Sequence, residues 1–189
     1  MLAWMTVVVA ETDEEAHAKL EDYKQYVNHD GALALVAGWT GIDFSKYDLD
    51  SPLDQVESES VRSIATMFTS VDGDRVWTPR AIAEQVGLAG LGPLVVGSVT
   101  TVADELQRWM DETDIDGFNL GRIVLPEAYD DFIDLVVPEL QSRGRYKTAY
   151  QEGTYREKLF GEGPLLNERH PGHGYRHESS DETERESVA

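Results

Sequence analysis

The sequence predicts an α/β fold, and three stretches carry that prediction. Residues 4–10 (Trp-Met-Thr-Val-Val-Val-Ala) form a β-branched apolar run of strand length, followed at once by an amphipathic helix. Residues 115–120 (Ile-Asp-Gly-Phe-Asn-Leu) read as a second strand, set between helical patterns at 99–112 and 127–143. Strands alternating with helices give a β/α architecture around a parallel sheet.

The elements follow in order. Thr12 and Glu15 have the spacing of a capping box, and behind them Ala16, Leu20, Tyr23 and Val27 recur at helical intervals. Residues 31–38 are a short apolar segment, open to either helix or strand by length, with helix favoured. Residues 38–56 hold the turn formers of an irregular excursion. A helix is predicted over 57–70 with Val61, Ile64, Ala65 and Phe68 inward, followed by a turn at Asp72-Gly73-Asp74. Thr78-Pro79 is an N-cap with proline at the first helical position, and that helix is expected to end near Gly87. Residues 87–93 read as a flexible, glycine-rich connection or lid, leading to a brief extended piece at 94–97. Ser98 caps the next helix, whose inner face is Val99, Val102, Leu106 and Trp109. In the final helix Phe132, Leu135, Val136 and Leu140 face inward, Pro138 is expected to bend it or restart a turn, and Gly144 closes it.

Composition narrows the functions open to the chain. Its 189 residues suffice for one ordinary core, and without cysteine there are no disulfides or thiolate sites. A net charge of −20 excludes the basic surface that nucleic acid or an anionic membrane requires. The acidity runs along the whole chain, and only five of the 16 cationic residues are lysine, a balance suited to concentrated salt. The apolar N-terminus lacks a basic flank and stops at Glu11, so it fits neither a signal peptide nor a membrane span, and the chain reads as cytoplasmic.

Several motifs, in order over about residues 4–160, resemble one family. They are Glu11-Thr-Asp-Glu-Glu-Ala16, Gly38-Trp-Thr-Gly-Ile-Asp43, Val95-Val-Gly-Ser98 with Val102-Ala-Asp-Glu-Leu106, and Asp116-Gly-Phe-Asn-Leu120. Asp131-Phe-Ile-Asp-Leu-Val-Val-Pro-Glu-Leu140 with Arg143-Gly144 completes the set. The family is that of the luciferase-like flavin-dependent monooxygenases acting on nitrilotriacetate, dibenzothiophene sulfone and dimethyl sulfide. The resemblance implies the C-terminal portion of a TIM-like (β/α)8 barrel. Residues 4–10 would be barrel strand 7, 11–93 a large, mostly helical insertion, and 115–120 strand 8. The partial barrel domain would occupy 1–160, and 161–189 an acidic, disordered tail. A complete barrel needs about 250 residues, so the resemblance also implies a fragment or split subunit completed by an N-terminal half chain or by a homo-oligomer.

The same resemblance implies the chemistry. Reduced FMN would come from a separate flavin reductase, O2 would be the co-substrate, and a small organosulfur, aminocarboxylate or related compound would be oxygenated. The cofactor carries the hard step while the protein gives orientation and a dry pocket, in keeping with a chain that offers no triad or metal motif. Pocket residues belong at the C-terminal ends of barrel strands and the loops beyond. The candidates are Trp39, Val95, Val96 and Asn119, each with a plain packing or strand-end role as its alternative. Asp43 reads as the cap of the turn made by Gly41 rather than a ligand contact. His170, His173 and His177 have chelating spacing without cysteine or a matching carboxylate, so no metal is expected. The competing function is a non-catalytic product or assembly module whose open strand edges pair with a partner chain.

Overall fold

The computed structural model describes residues 1–53, 63, 66, 68 and 76–175. Two compact units divide the chain, Met1–Tyr146 and Lys147–Ala189. The first holds a parallel sheet and its helices. The predicted helix over 57–70 and the Asp72-Gly73-Asp74 turn lie largely outside the described residues, although Phe68 is buried and stacks on Trp77 at 4.7 Å.

Strand β1 (Leu2–Ala10) is central, and β2 (Leu94–Ser98) and β3 (Gly117–Gly121) pair with it in parallel, in the order β2-β1-β3. The register places Thr6 beside Leu94 and Ala10 beside Ser98 on one side, and Leu2 beside Gly117 and Thr6 beside Gly121 on the other. The brief extended piece expected at 94–97 is thus a full partner of β1, giving three strands where the barrel reading has two. Five residues are too short for periodicity to reveal a strand whose partner lies more than 80 positions away. The adjacency of β1 and β3 agrees with the expected neighbours, whereas β2 takes the opposite edge of β1.

Helices α1 (Asp13–Lys24), α2 (His29–Thr40), α3 (Pro79–Ala89) and α4 (Val99–Glu112) all start at side-chain caps: Thr12, Asn28, Thr78 and Ser98. At α1 the capping box is complete, with Thr12 and Glu15 each accepting from the other's backbone N–H. Such a cap is worth about 1 kcal/mol to its helix. The helix preference for 31–38 is met by α2, which ends where Gly41 turns left-handed at φ 73°.

Of the glycines in the connection expected over 87–93, Gly87 and Gly92 sit in close contacts, while Gly90 turns left-handed at φ 66° with nothing within 4 Å. Helix α3 continues through Gly87 to Ala89 because Gly87 meets Val27, where an added Cβ would lie 2.7 Å from Val27 Cγ1. A Cβ on Gly92 would fall on the Trp4 ring. Gly87 and Gly92 each remove a side chain where two elements touch.

The last helix of this unit runs as α5 (Glu127–Asp131), a π-helical stretch (Phe132–Val136) and α6 (Val137–Ser142). Pro138 is expected to bend the helix or restart a turn, and it does the second: α6 begins with the proline in its first turn, after a change of hydrogen-bond register. Proline has no N–H and its ring crowds the carbonyl four residues back. The Val137 N–H instead reaches the Phe132 carbonyl, five residues back. Gly144, at φ 69°, then ends the helix, with Arg145 N–H bonding the Leu140 carbonyl at 2.8 Å.

Alternation along β1 divides the core. Met5, Val7 and Val9 pack with Val95, Val102, Leu106, Phe132 and Val136 under α4 and the final helix. Val8 faces the other way, with Leu20, Tyr23 and Leu88. A third cluster joins α2 to α3 through Leu33, Val36, Ile82 and Val86, and takes in Phe44, Phe68 and Trp77. The excursion thereby has a core of its own, separate from the sheet.

In the second unit, helix α7 (Tyr155–Phe160) has a Thr154–Glu157 capping box and ends at Gly161. A 3-10 turn follows at Pro171–Tyr175, within the expected tail, while residues 176–189 lie outside the described residues.

Candidate functional site on the sheet

Ligands of open parallel sheets gather at the C-terminal strand ends, and a large exposed aromatic elsewhere on the sheet marks a second surface to consider. Both regions are built here from β1. At the C-terminal ends, Asp13 in the first turn of α1 turns its carboxylate to β2, and Oδ1 accepts the Ser98 N–H at 2.6 Å. That backbone bond, with those from the Thr101 and Ser98 hydroxyls, holds the Asp13 carboxyl below its ordinary value. Gly97 makes the approach possible, since a Cβ there would stand 2.8 Å from Asp13 Oδ1.

Beside it, half-buried Lys19 donates to Asp131 Oδ2 at 2.6 Å and lies 3.4 Å from Glu127, joining α1 to α5. Desolvation favours the neutral amine, but the Asp131 and Glu127 partners outweigh it and the ammonium is held charged. Burial, with Glu127 next to it, pushes the Tyr23 phenol up, so it stays a neutral donor.

The uncovered face lies at the other half of β1. Trp4 is 49% exposed, and its register partner on β3 is the exposed Asn119. The five-membered ring of Trp4 sits between Gly92 and Gly121; a Cβ on Gly92 would collide with the ring, and one on Gly121 would collide with Thr6 Oγ1 and crowd the indole. An indole and an amide therefore share one open surface. Sequence reading missed Trp4, treating it as part of a buried strand; its exposure depends on what neighbouring strands do not cover.

The four predicted pocket residues are not brought to one place. Val96 packs beside Val8 and shares a face with Asn119 by the alternation of the strands. Val95 points to the opposite face, buried among Val102 and Leu106. Trp39 stands on α2, 52% exposed, among the helices of the excursion. A cleft along the free edge of β2 and α4 is lined by Leu94, Val95, Val96, Thr101 and Arg108; two consecutive residues of opposite faces line it because it follows the strand's edge.

Asp43 caps the 3-10 turn at Phe44–Lys46, accepting from Ser45 Oγ at 2.6 Å; the role is a structural cap as expected, but of this following turn rather than the one made by Gly41. His173 Nδ1 lies 2.9 Å from the Leu166 carbonyl, His170 accepts from the Gly172 N–H, and His177 lies outside the described residues. Among the described residues no three His, Asp or Glu side chains converge as a metal site, and no helix is long and apolar enough to cross a membrane.

A parallel sheet flanked by helices, with an indole and an amide on one open face and its outer edges unpaired among the described residues, defines the class as an α/β fold. Comparison with known proteins narrows it. The chain is 44% identical over 173 residues to dimethyl-sulfide monooxygenase of Hyphomicrobium sulfonivorans, covering 91% of this chain and 36% of that protein. It is 42% identical to the long-chain alkane monooxygenase of Geobacillus thermodenitrificans, over 95% of this chain and 37% of that one. The crystal structure of the Hyphomicrobium enzyme superposes with a TM-score of 0.82 at 43% identity, covering 93% of this chain. A riboflavin lyase solved with modified FMN and riboflavin superposes at 0.69 and 32% identity. No family model matches. The chain is therefore a homologue of the luciferase-like FMN-dependent monooxygenases, and it spans a little over a third of the length of the relatives it matches.

Proposed function

We propose that this chain supplies one section of the pocket of an FMN-dependent monooxygenase, the section built on β1, β2 and β3. The observation that carries the reading is the open face shared by Trp4 and Asn119, in a chain 43% identical to a monooxygenase of the same local fold. Further strands, in the same polypeptide or in a partner chain, complete the sheet at the outer edges of β2 and β3, which are unpaired among the described residues. Unpaired edges with apolar side chains call for such cover.

The residues fit a planar heterocycle. Trp4 offers an aromatic wall, Asn119 an amide able to donate and accept, and Gly92 and Gly121 keep the indole against the sheet. When bound, reduced FMN supplies the electrons that activate O2. This chain's residues hold ligands in place and exclude water, while Asp13 and Lys19 fix the strand ends and α1 around them. The reduced flavin comes from a separate reductase, the compartment is cytoplasmic, and the substrate is a small organosulfur or related molecule. Val96 and Asn119 line the sheet side of the pocket and Val95 supports it from beneath; Trp39, on α2, stands apart from them.

The test is a chimera in which this chain replaces the matching third of the Hyphomicrobium enzyme. With reduced FMN and O2 it should oxygenate dimethyl sulfide, and Trp4→Ala or Asn119→Ala should lower turnover by at least tenfold. A folded chimera whose turnover ignores both substitutions would overturn the reading.

A further inference from the structure

Thr6 carries a hydroxyl that bonds to nothing. The residue is 1% exposed in the middle of β1, and among the described residues its Oγ1 has no hydrogen-bond partner. Enclosed hydroxyls of folded proteins are nearly always paired, because an unpaired one has given up its bonds to water without replacement. The indole N–H of Trp4, two positions back on the same face of the strand, is likewise unpartnered among the described residues. Both groups face one point. A Cβ on Gly121 would lie 2.3 Å from Thr6 Oγ1 and 3.1 Å from Trp4 Nε1. The two are therefore near enough to share one acceptor at an ordinary hydrogen-bond length of about 2.9 Å. Glycine at 121 keeps β3 from closing that place with a side chain of its own.

An indole N–H only donates, so a shared partner is an acceptor. Charge narrows its kind. Trp4, Thr6 and Val8 on β1, Asn119 on β3, and Leu94 and Val96 on β2 bring no charged group to this face. An anionic oxygen would stand there without a counter-charge, a cost that an uncharged oxygen avoids. We infer that Thr6 Oγ–H and Trp4 Nε1–H are paired donors to a ring carbonyl oxygen of the planar heterocycle bound on this face. The inference rests on the function proposed above: of the molecules in that reaction, the flavin ring is the one that carries such carbonyls. It gives Thr6 a part in holding the ligand and gives Trp4 a polar role besides that of an aromatic wall.

The test loads the chimera with oxidised FMN, isotope-labelled at its ring carbonyls, and reads their infrared stretches and the binding affinity without turnover. Thr6→Val keeps the shape of the side chain and removes the donor. Trp4→Phe keeps an aromatic wall and removes the N–H. Each should move a carbonyl stretch to higher frequency and weaken binding about three- to tenfold, the worth of one neutral hydrogen bond. Thr6→Ser should leave both readings unchanged. In the full chain alone, Thr6→Val should raise the denaturation midpoint, since it deletes a buried group with no partner. A folded Thr6→Val chimera with unshifted carbonyls and unchanged affinity would overturn the inference. If Trp4→Ala still lowers turnover in that case, the aromatic wall stands and only the donor pair falls. A lowered midpoint for Thr6→Val in the chain alone would place the hydroxyl's partner within the chain and overturn the inference as well.

Discussion

Asp13 Oδ1 accepts the backbone N–H of Ser98 at 2.6 Å, so the first turn of α1 also holds the end of β2 and the start of α4. One carboxylate thus ties two elements that are 85 positions apart. Asp13→Ala should lower the melting temperature and loosen β2, seen as faster amide exchange at Val96–Ser98 but not at Phe118–Leu120. Equal exchange at both strands would contradict the tie. The pH dependence has a definite sign. The Asp13 carboxyl is held below its ordinary 3.8 in the folded chain. Its contribution is therefore full above that value and is lost as pH falls through the lower, folded-state value. Asp13→Asn should flatten this part of the acid limb.

Lys19 gives the opposite sign. Its pKa is raised above 10.5 on folding, so the Lys19–Asp131 pair stabilises fully below that value and is lost as pH rises through the folded one. The pair is half-exposed, and Lys19→Met should cost about 1 kcal/mol at neutral pH. A double-mutant cycle with Asp131→Asn measures the coupling; a coupling of zero would remove Lys19 as the link between α1 and α5.

Gly121→Ala should cost about 1–3 kcal/mol, because the new methyl meets Thr6 Oγ1 and the Trp4 indole with no room to spare. Gly163→Ala, where nothing stands within 4 Å, should be neutral. Chemical denaturation of both variants checks the contrast. Equal stabilities would mean that Trp4 moves freely.

Val95 and Val96 should separate by face. Val95→Ala empties space under α4 and should cost about 1–2 kcal/mol of stability. Val96→Ala, half-buried on the other face, should cost less and should alter turnover in the chimera more. The reverse order would exchange their roles.

Much of the fold was legible because its signals are local. Thr12, Thr78 and Ser98 announced their helices within four residues, and the inner faces of α4 and the final helix followed from spacing alone. What escaped depends on distant partners. The strand identity of 94–98 rests on β1, the need for Gly92 on the Trp4 ring, and the need for Gly121 on Thr6 Oγ1. The split between Val95 and Val96 needed only strand alternation, but β2 first had to be recognised as a strand. Of the site, Asn119 was found from its place in β3; its neighbour Trp4 was not, since exposure of a strand residue reflects which strands flank it. The link between Lys19 and Asp131 spans 112 positions and leaves no local trace.

The most direct measurement of the central claim is an anaerobic titration with reduced FMN, made on this chain alone and on the chain combined with the remaining part of the Hyphomicrobium enzyme. If the chain holds only one section of the pocket, saturable binding appears in the combination and not with the chain alone, and Trp4→Ala weakens it. Tight binding by the chain alone, or none in a folded combination, would contradict the account.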